Sequence, residues 1–297
     1  MKTPQQSYPQ LAAVLGVSNI YLKREDLHTY HSHKGRSIPF MIKYAVKKNG
    51  STNFVLSSSG NAALAAAQTI SSYNKDKTKT PLSLTIYIGN GIDTKKKKAL
   101  DAYAKDVHIH IETVDRPQQA AFKLEKETGA VSLRQSTQDI ALPGYTELGK
   151  ELTQIPSLTA IFIPTSSGTT AQGIAMGVVG GGVPIQIHIV QTASCHPLAQ
   201  NCFGGTTIPT EDAPSLATAI VDKVGHRKES VTKAVTQSGG AGWIVTNEEI
   251  KQAIVLVQQH AGIAISPNSA LSVAGLRQAI AHGKTFTGAV VCIITGP

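Results

Sequence analysis

The chain has 297 residues, of which 41% are hydrophobic and 5% aromatic, and its net charge is +9 at pH 7. This length suits one large domain or two modest ones, and the scarcity of aromatic residues disfavours an aromatic-rich β-sandwich. The charge suits a nucleic-acid binder or an enzyme with an anionic substrate. The one dense basic run, residues 95–98, has no interleaved aromatic residues on which bases could stack. We therefore expect an enzyme with a small-molecule substrate and no nucleic-acid partner, with a basic nucleic-acid binder as the alternative.

The number of cysteines and the hydropathy of the chain indicate the cellular compartment in which the protein works. The three cysteines, Cys195, Cys202 and Cys292, are too few for a disulfide framework, and Cys195, His196 and Cys202 match no zinc-binding spacing. We therefore expect no metal. No apolar stretch reaches membrane-spanning length, and the opening residues MKTPQQSYPQ lack the pattern of a signal peptide. A cytoplasmic protein without a membrane partner is the expectation.

Short apolar strands alternate with helical patterns along the chain, because runs such as NFVLS and TAIFIPT are separated by segments with apolar residues three and four apart. The predicted strands lie at residues 19–23, 53–57, 82–88, 107–113, 130–134, 159–165, 184–191 and 288–297. The predicted helices lie at residues 38–48, 61–70, 94–104, 117–128, 143–154, 170–179, 246–262 and 267–283, the sixth of them ending at the glycines 180–182. Residues 192–242 are rich in turn formers and predict no clear element.

Repeated strand–helix units predict an α/β fold with mostly parallel sheets and helices on both faces. In such sheets, ligands bind beyond the carboxyl ends of the strands, where loops lead into helices. The loops that follow the predicted strands are therefore the places to look for chemistry.

The first of these loops contains Lys34, within the sequence SHKGR, where a loop becomes a helix. A lysine at a helix N-terminus lies near the positive end of the helix dipole, and both this position and burial favour the neutral amine. A neutral amine attacks an aldehyde to form a Schiff base. The alternative is a surface lysine paired with an acid.

Two further loops suit anions. The sequence SSSGNAALAAA, residues 57–67, places hydroxyl and amide groups before a helix, an arrangement that captures a carboxylate. The sequence PTSSGTTAQG, residues 164–173, follows a strand and suits a phosphate, although it matches neither the nucleoside triphosphate nor the dinucleotide motif. Pyridoxal 5′-phosphate is the cofactor that needs both a Schiff-base lysine and a phosphate site.

The ordered motifs NIYLKRED, SHKGR, SSSGNAALAAA, SSGTTAQG, SLATAI, SPNSALSVAGL and ITG resemble those of the fold-type II, or tryptophan synthase β-like, pyridoxal-phosphate enzymes. The resemblance runs from about residue 3 to the C-terminus. It implies two three-layer α/β lobes with the cofactor in the cleft between them. It also implies that residues 1–39 and 148–297 form the larger lobe, that residues 40–147 form a smaller, mobile lobe, and that the protein is a homodimer.

The resemblance assigns roles to single residues. Lys34 corresponds to the lysine that forms the Schiff base, and Asn61 to the asparagine that bonds the 3′-oxygen of the cofactor. Thr295 corresponds to the hydroxyl that faces the pyridine nitrogen. The substrate carboxylate is expected at Ser58, Ser59, Gly60 and Asn61, and the cofactor phosphate at Ser166, Ser167, Gly168, Thr169 and Thr170.

Within the family, PSLATAI, SPNSALSVAGL and ITG are most similar to stretches of threonine synthases. This similarity implies conversion of O-phosphohomoserine and water to threonine and phosphate. A serine/threonine ammonia-lyase and a cysteine- or cysteate-forming β-replacement synthase remain alternatives, as does a protein that binds the cofactor without turnover. His33 stands where the family usually has an aromatic residue, and either proton transfer or ring packing would suit it.

Overall fold

The computed structural model describes residues 2–179 and 184–297 of the chain. They divide into two compact units, a larger one from Met1–His33 and Leu142–Pro297 and a smaller one from Lys34–Ala141. The boundaries expected from sequence, after residues 39 and 147, lie six residues further along the chain than these. The helix end expected at residues 180–182 lies outside the described residues.

Every predicted strand and helix has a counterpart in the structure, while β1, β9, α1 and α8 were not predicted. The strands are β1 Gln5–Ser7, β2 Asn19–Arg24, β3 Asn53–Ser57, β4 Ser83–Ile88, β5 Ile109–Thr113, β6 Val131–Ser132, β7 Leu158–Pro164, β8 Gln186–Thr192, β9 Gly242–Val245 and β10 Ala289–Ile294. The helices are α1 Pro9–Leu15, α2 Lys34–Asn49, α3 Asn61–Asn74, α4 Thr94–Asp101, α5 Pro117–Thr128, α6 Leu142–Leu152, α7 Thr169–Val178, α8 Lys228–Gln237, α9 Asn247–Ala261 and α10 Pro267–Ala281.

The smaller unit is built on a parallel sheet with the strand order β5-β4-β3-β6. Alternate side chains of its strands point to opposite faces. Val55 of β3 and Tyr87 of β4 therefore share one face, and they pack there against Ala121 of α5. Because the strands are parallel, the loops that follow β3, β4 and β6 all leave the same edge of the sheet.

The larger unit is built on a sheet with the order β1-β2-β10-β7-β8-β9, in which β1 is antiparallel to β2 and the other pairs are parallel. Both faces are buried. Along β10, Val290 and Cys292 join one apolar cluster with residues of α1, α9 and α10, while Val291 and Ile293 join a second cluster with residues of α6, α7 and α8. The prediction of an α/β fold with mostly parallel sheets is confirmed.

The short edge strand β1 is held by a buried lysine. Lys23 of β2 is 1% exposed, and its Nζ donates to the Thr3 carbonyl at 2.9 Å, to Gln5 Oε1 at 3.2 Å and to Glu151 Oε2 at 2.8 Å. A buried ammonium needs such partners, since burial without them is costly. Residues before β2 are thereby bound to α6. No helix in the described parts of the chain is both long enough and apolar enough to cross a membrane.

A neutral histidine lies in the core of the larger unit. The His188 ring stacks on Phe162 with 4.4 Å between ring centroids. Its Nδ1 accepts from the Ala241 N–H at 3.0 Å and from Trp243 Nε1 at 3.2 Å, so the proton resides on Nε2, which donates to Gln186. Burial, and to a lesser degree the charge of Lys284, lowers the pKa of His188 to about 3. The fold therefore requires the uncharged imidazole.

His188 should make stability fall in acid. Its pKa is depressed in the folded state, so its contribution is complete above the unfolded value near 6.5 and is lost as the pH falls from there toward about 3. At pH 4 the loss should be ~3 kcal/mol. Urea unfolding at pH 7 and pH 4 measures it, and His188→Gln, which keeps an acceptor, should remove most of this pH dependence. His226→Gln, at an exposed histidine, is the control, and equal pH dependence in all three proteins would contradict the assignment.

Candidate active site

Lys34 is the first residue of α2, as the sequence predicts. Its Nζ donates to Oε1 of Gln135 at 2.8 Å. Burial lowers the pKa of Lys34 to about 8. With such a pKa about a fifth of the amines are neutral at pH 7.4, against roughly 0.1% at the ordinary lysine value, and the neutral amine is the state that reacts with an aldehyde.

The loop that leads into Lys34 rests on the end of β10. The carbonyl oxygen of Thr295 accepts two hydrogen bonds from His33, one from the backbone N–H and one from Nδ1, both at 3.0 Å. Gly296 has φ +116°, and a Cβ there would lie 2.6 Å from the His31 carbonyl oxygen and 2.7 Å from Ser32 Cβ. The approach of these two segments therefore requires glycine.

The His33 ring also packs 5.9 Å from the Tyr145 ring, centroid to centroid. One ring nitrogen is thus engaged with Thr295 and one side of the ring with an aromatic residue. These contacts favour the interpretation that the His33 ring packs where the family usually has an aromatic residue. Because Nδ1 donates to Thr295, any proton transfer by His33 would use Nε2.

A cluster of hydroxyl groups surrounds Thr295, which is buried. Its Oγ1 lies 3.4 Å from Oγ of Ser269, in the first turn of α10. Ser269 also accepts from the Gly296 N–H at 3.2 Å, and the α10 N-cap Ser266 donates to the Gly296 carbonyl at 2.6 Å. Sequence reasoning assigned no role to Ser266 or Ser269. The sequence places both serines at the N-terminus of a predicted helix, but it gives no sign of their contact with the end of β10.

The predicted phosphate site lies between β7 and α7. Gly168 has φ +88° and is the N-cap of α7, and a Cβ there would lie 2.8 Å from Val231 and 2.9 Å from Leu198. The hydroxyls of Ser167 and Thr169 lie 3.0 Å apart. The first turn of α7 therefore presents backbone N–H groups and hydroxyls, as an anion requires.

Two neighbours of this loop were not found from sequence. The Ser166 hydroxyl accepts from the backbone N–H groups of Val221 and Asp222, at 3.2 and 3.3 Å, so it holds the segment at residues 221–222. Arg227 is buried beside the loop and donates from Nη1 to Gln172 of α7 at 2.9 Å. A buried guanidinium one turn from the helix N-terminus adds positive charge for an anion.

In the smaller unit, residues 58–61 form the turn between β3 and α3. The backbone N–H of Ser58 donates to the Tyr87 carbonyl at 3.2 Å, and the N–H of Gly60, the N-cap of α3, donates to the Ser58 hydroxyl at 3.2 Å. Ser59 is exposed, and Gly60 and Asn61 are partly exposed. The exposed Ser59 and the partly exposed Asn61 thus lie at a helix N-terminus, the kind of place that a substrate carboxylate would need.

Each sheet brings its predicted residues to one edge. β7 and β10 are adjacent and parallel, so residues 166–170 and Thr295 lie beyond the carboxyl ends of neighbouring strands. In the smaller unit, β6, β3 and β4 are also adjacent and parallel, so Gln135 and residues 58–61 follow neighbouring strands. A reactive amine, a helix N-terminus lined with hydroxyls and a buried hydroxyl fit the aldehyde, the phosphate and the ring nitrogen of pyridoxal phosphate.

A family model described as pyridoxal-phosphate dependent enzyme matches residues 1–296. The chain belongs to this family. A threonine synthase of Methanosarcina acetivorans is 26% identical over 310 residues, covering 99% of this enzyme and 74% of the relative. A threonine dehydratase of Nicotiana attenuata is 23% identical, covering 99% of this enzyme and 47% of the relative, so the chain spans about half the length of that protein.

Solved structures share the fold of this enzyme. The structure of maize serine racemase matches with a TM-score of 0.82 at 20% identity, covering 100% of this enzyme and 88% of that chain. A threonine deaminase of Solanum lycopersicum matches with a TM-score of 0.81 at 20% identity, covering 100% of this enzyme and 79% of that chain. The resemblance to fold-type II enzymes and the dependence on pyridoxal phosphate are confirmed.

Replacement of Gly296 by alanine should displace the loop that carries Lys34. The added Cβ meets backbone atoms of His31 and Ser32, so the loop must shift, and we expect cofactor affinity to fall at least about tenfold, or ~1.4 kcal/mol. Absorbance titration with pyridoxal phosphate measures the change. Gly283→Ala is the matched control, because Gly283 also has a left-handed φ but nothing lies within 4 Å of its added Cβ. Equal affinity in the two variants would contradict this account.

Proposed function

We propose that the enzyme is threonine synthase-like and converts O-phosphohomoserine and water to threonine and phosphate. The motifs support this proposal, and so do the threonine synthases of Methanosarcina acetivorans and Halalkalibacterium halodurans, which are 26% and 27% identical over 99% of the chain. The choice of O-phosphohomoserine as the substrate rests on the distribution of charged residues along the chain.

Nearly all the net charge lies in the smaller unit. Residues Lys34–Ala141 contain 17 lysines and arginines against 9 aspartates and glutamates, a net charge of +8 out of +9 for the whole chain. Residues 95–98 open α4, which follows β4 at the same edge as residues 58–61. A positive field attracts a phosphorylated amino acid and does little for a zwitterion such as threonine or serine, which has no net charge. This asymmetry therefore favours a phosphate-bearing substrate.

Bound pyridoxal phosphate supplies an electron-withdrawing ring that stabilises negative charge on substrate carbon atoms. In the proposed reaction Lys34 would hold the cofactor through its aldehyde and would carry protons to and from the substrate carbons. Residues 166–170, at the N-terminus of α7, would bind the cofactor phosphate, and Asn61 would donate to the 3′-oxygen. Residues 58–60 bind the substrate carboxylate. Thr295 offers the ring nitrogen an uncharged hydroxyl, which does not fix a proton there as a carboxylate would.

A threonine or serine ammonia-lyase is the second candidate. The threonine dehydratase of Nicotiana attenuata and the L-threonine ammonia-lyase of Thermotoga maritima, 22% identical over 91% of the chain, favour it. Both reactions begin with an elimination, of phosphate from O-phosphohomoserine in the synthase and of water from threonine or serine in the lyase. Water then adds to give threonine in the synthase, whereas hydrolysis releases ammonia and a 2-oxo acid in the lyase. Homodimer formation and a cytoplasmic location are also proposed, the first from the family resemblance and the second from the free thiols of Cys195, Cys202 and Cys292.

Lys34→Ala should abolish covalent attachment of the cofactor. Borohydride treatment of the loaded wild-type enzyme should fix the cofactor to the peptide that contains Lys34, and mass spectrometry should find no fixed cofactor in the variant. Turnover should fall by about 10²–10⁴-fold, the contribution of a positioned proton-transfer group. Lys43→Ala, at an exposed position of α2, is the control that should retain both properties. Fixed cofactor on another lysine of the wild-type enzyme would refute the role of Lys34.

A panel of four amino acids separates the candidate reactions. The loaded enzyme should release phosphate and threonine from O-phosphohomoserine, with kcat/KM falling as salt screens the basic unit. Threonine, serine and O-acetylserine should give far slower turnover. Release of a 2-oxo acid from threonine or serine, without turnover of O-phosphohomoserine, would establish the ammonia-lyase instead. Loaded protein whose absorbance none of the four amino acids changes would indicate binding without turnover.

A further inference from the structure

The partner of the Lys34 amine is an uncharged amide. Gln135 is 8% exposed, and its Oε1 accepts from Lys34 Nζ at 2.8 Å. Gln135 lies in the sequence RQST, to which sequence reasoning assigned no role. It is a buried polar side chain placed directly against the group on which the proposed chemistry depends.

The segment that carries Gln135 is fixed at both ends. It follows β6, whose pairing with β3 continues through the Leu133 N–H, which donates to the Val55 carbonyl at 2.9 Å. At the other end, the Ser37 hydroxyl of α2 donates to the Ala141 carbonyl at 2.8 Å. Because Ser37 lies one turn after Lys34 on the same helix, these two attachments hold Gln135 beside the amine.

The chemistry of an amide oxygen suits a nucleophilic amine. It accepts an N–H hydrogen and has no proton to give, so the nitrogen lone pair is left to point away from Gln135. A carboxylate at the same place would instead favour the ammonium, which cannot attack an aldehyde. Charged or titratable side chains on the neighbouring segments are His33, Arg36, Arg134 and Asp139. Burial, rather than any of these charges, is the cause of the lowered pKa of Lys34.

We propose that Gln135 is a positioning residue for Lys34, which orients the amine through a hydrogen bond without favouring its charged form. The proposal rests on the proposed role of Lys34 as the residue that holds the cofactor. Glutamate has nearly the same size as glutamine but is charged, so position 135 should require a neutral side chain as well as one of this shape.

The test is the rate at which the full-length protein, freed of cofactor, takes up added pyridoxal phosphate as a function of pH. In Gln135→Glu the midpoint of this profile should move upward by about 1–3 pH units, so that uptake at pH 7 is at least about tenfold slower. In Gln135→Leu, which cannot accept a hydrogen bond, uptake should be slower at every pH without an upward shift of the midpoint. Gln119→Glu, an exposed change of the same charge in the same unit, should behave like the wild type.

The outcomes distinguish the proposed role of Gln135 from the proposed role of Lys34, on which it rests. If borohydride fixes the cofactor on Lys34 in the wild type but Gln135→Glu keeps the wild-type profile, the role of Gln135 is refuted and that of Lys34 stands. If the wild type carries the cofactor on another lysine, the role of Lys34 fails first. Thermal unfolding of each variant identifies loss of structure. If the glutamate variant does not fold, Gln135→Asn takes its place as the test. Asparagine keeps a neutral amide on a shorter side chain, so this variant should keep the wild-type midpoint.

Discussion

The candidate site depends on one carbonyl oxygen, that of Thr295 at the end of β10. By accepting both the backbone N–H and the ring Nδ1–H of His33, it fixes the loop immediately before Lys34 to the central strands of the larger sheet. The same residue carries the hydroxyl proposed to face the ring nitrogen of the cofactor, and the next residue, Gly296, has no side chain because the loop lies against it. The loop before Lys34 and the end of β10 are therefore joined by these two hydrogen bonds.

The residues proposed to bind the cofactor and the substrate have neighbours that divide by charge. Those that contact the reactive amine and the Thr295 hydroxyl are neutral, namely the amide of Gln135 and the hydroxyl of Ser269. Positive charge lies instead where anions are expected, with Arg227 beside the first turn of α7 and residues 95–98 at the start of α4. Neutral partners keep an amine nucleophilic and a ring nitrogen unprotonated, while cations attract and hold phosphate. The proposed reaction needs a neutral amine and also a bound phosphate group, and this division of charge suits the two requirements.

Much of the site was predictable because its signals are local. The positions of Lys34, the SSGTT loop and the SSSGN turn follow from neighbouring residues, and the structure confirms that each stands at the start of a helix. Their roles in binding remain proposals. The ordered motifs then identified the family. Gln135, Ser269 and Arg227 were not predicted, since their relevance comes from partners 101, 26 and 55 residues away along the chain.

The sequence by itself determined the alternation of strands and helices and the parallel sheets, because periodicity and helix-capping residues act over a few positions. It also predicted the lysine and the two loops that are proposed to bind the cofactor and the substrate. The tertiary structure decided the rest. Strand β1 pairs with β2, and the buried Lys23 links Gln5 of β1 to Glu151 of α6. Helix α8 lies within residues 192–242, whose local pattern is dominated by turn formers. Strand order, the burial that lowers the pKa of Lys34 and the neutral partner of its amine all arise from contacts between distant segments, which no local pattern encodes.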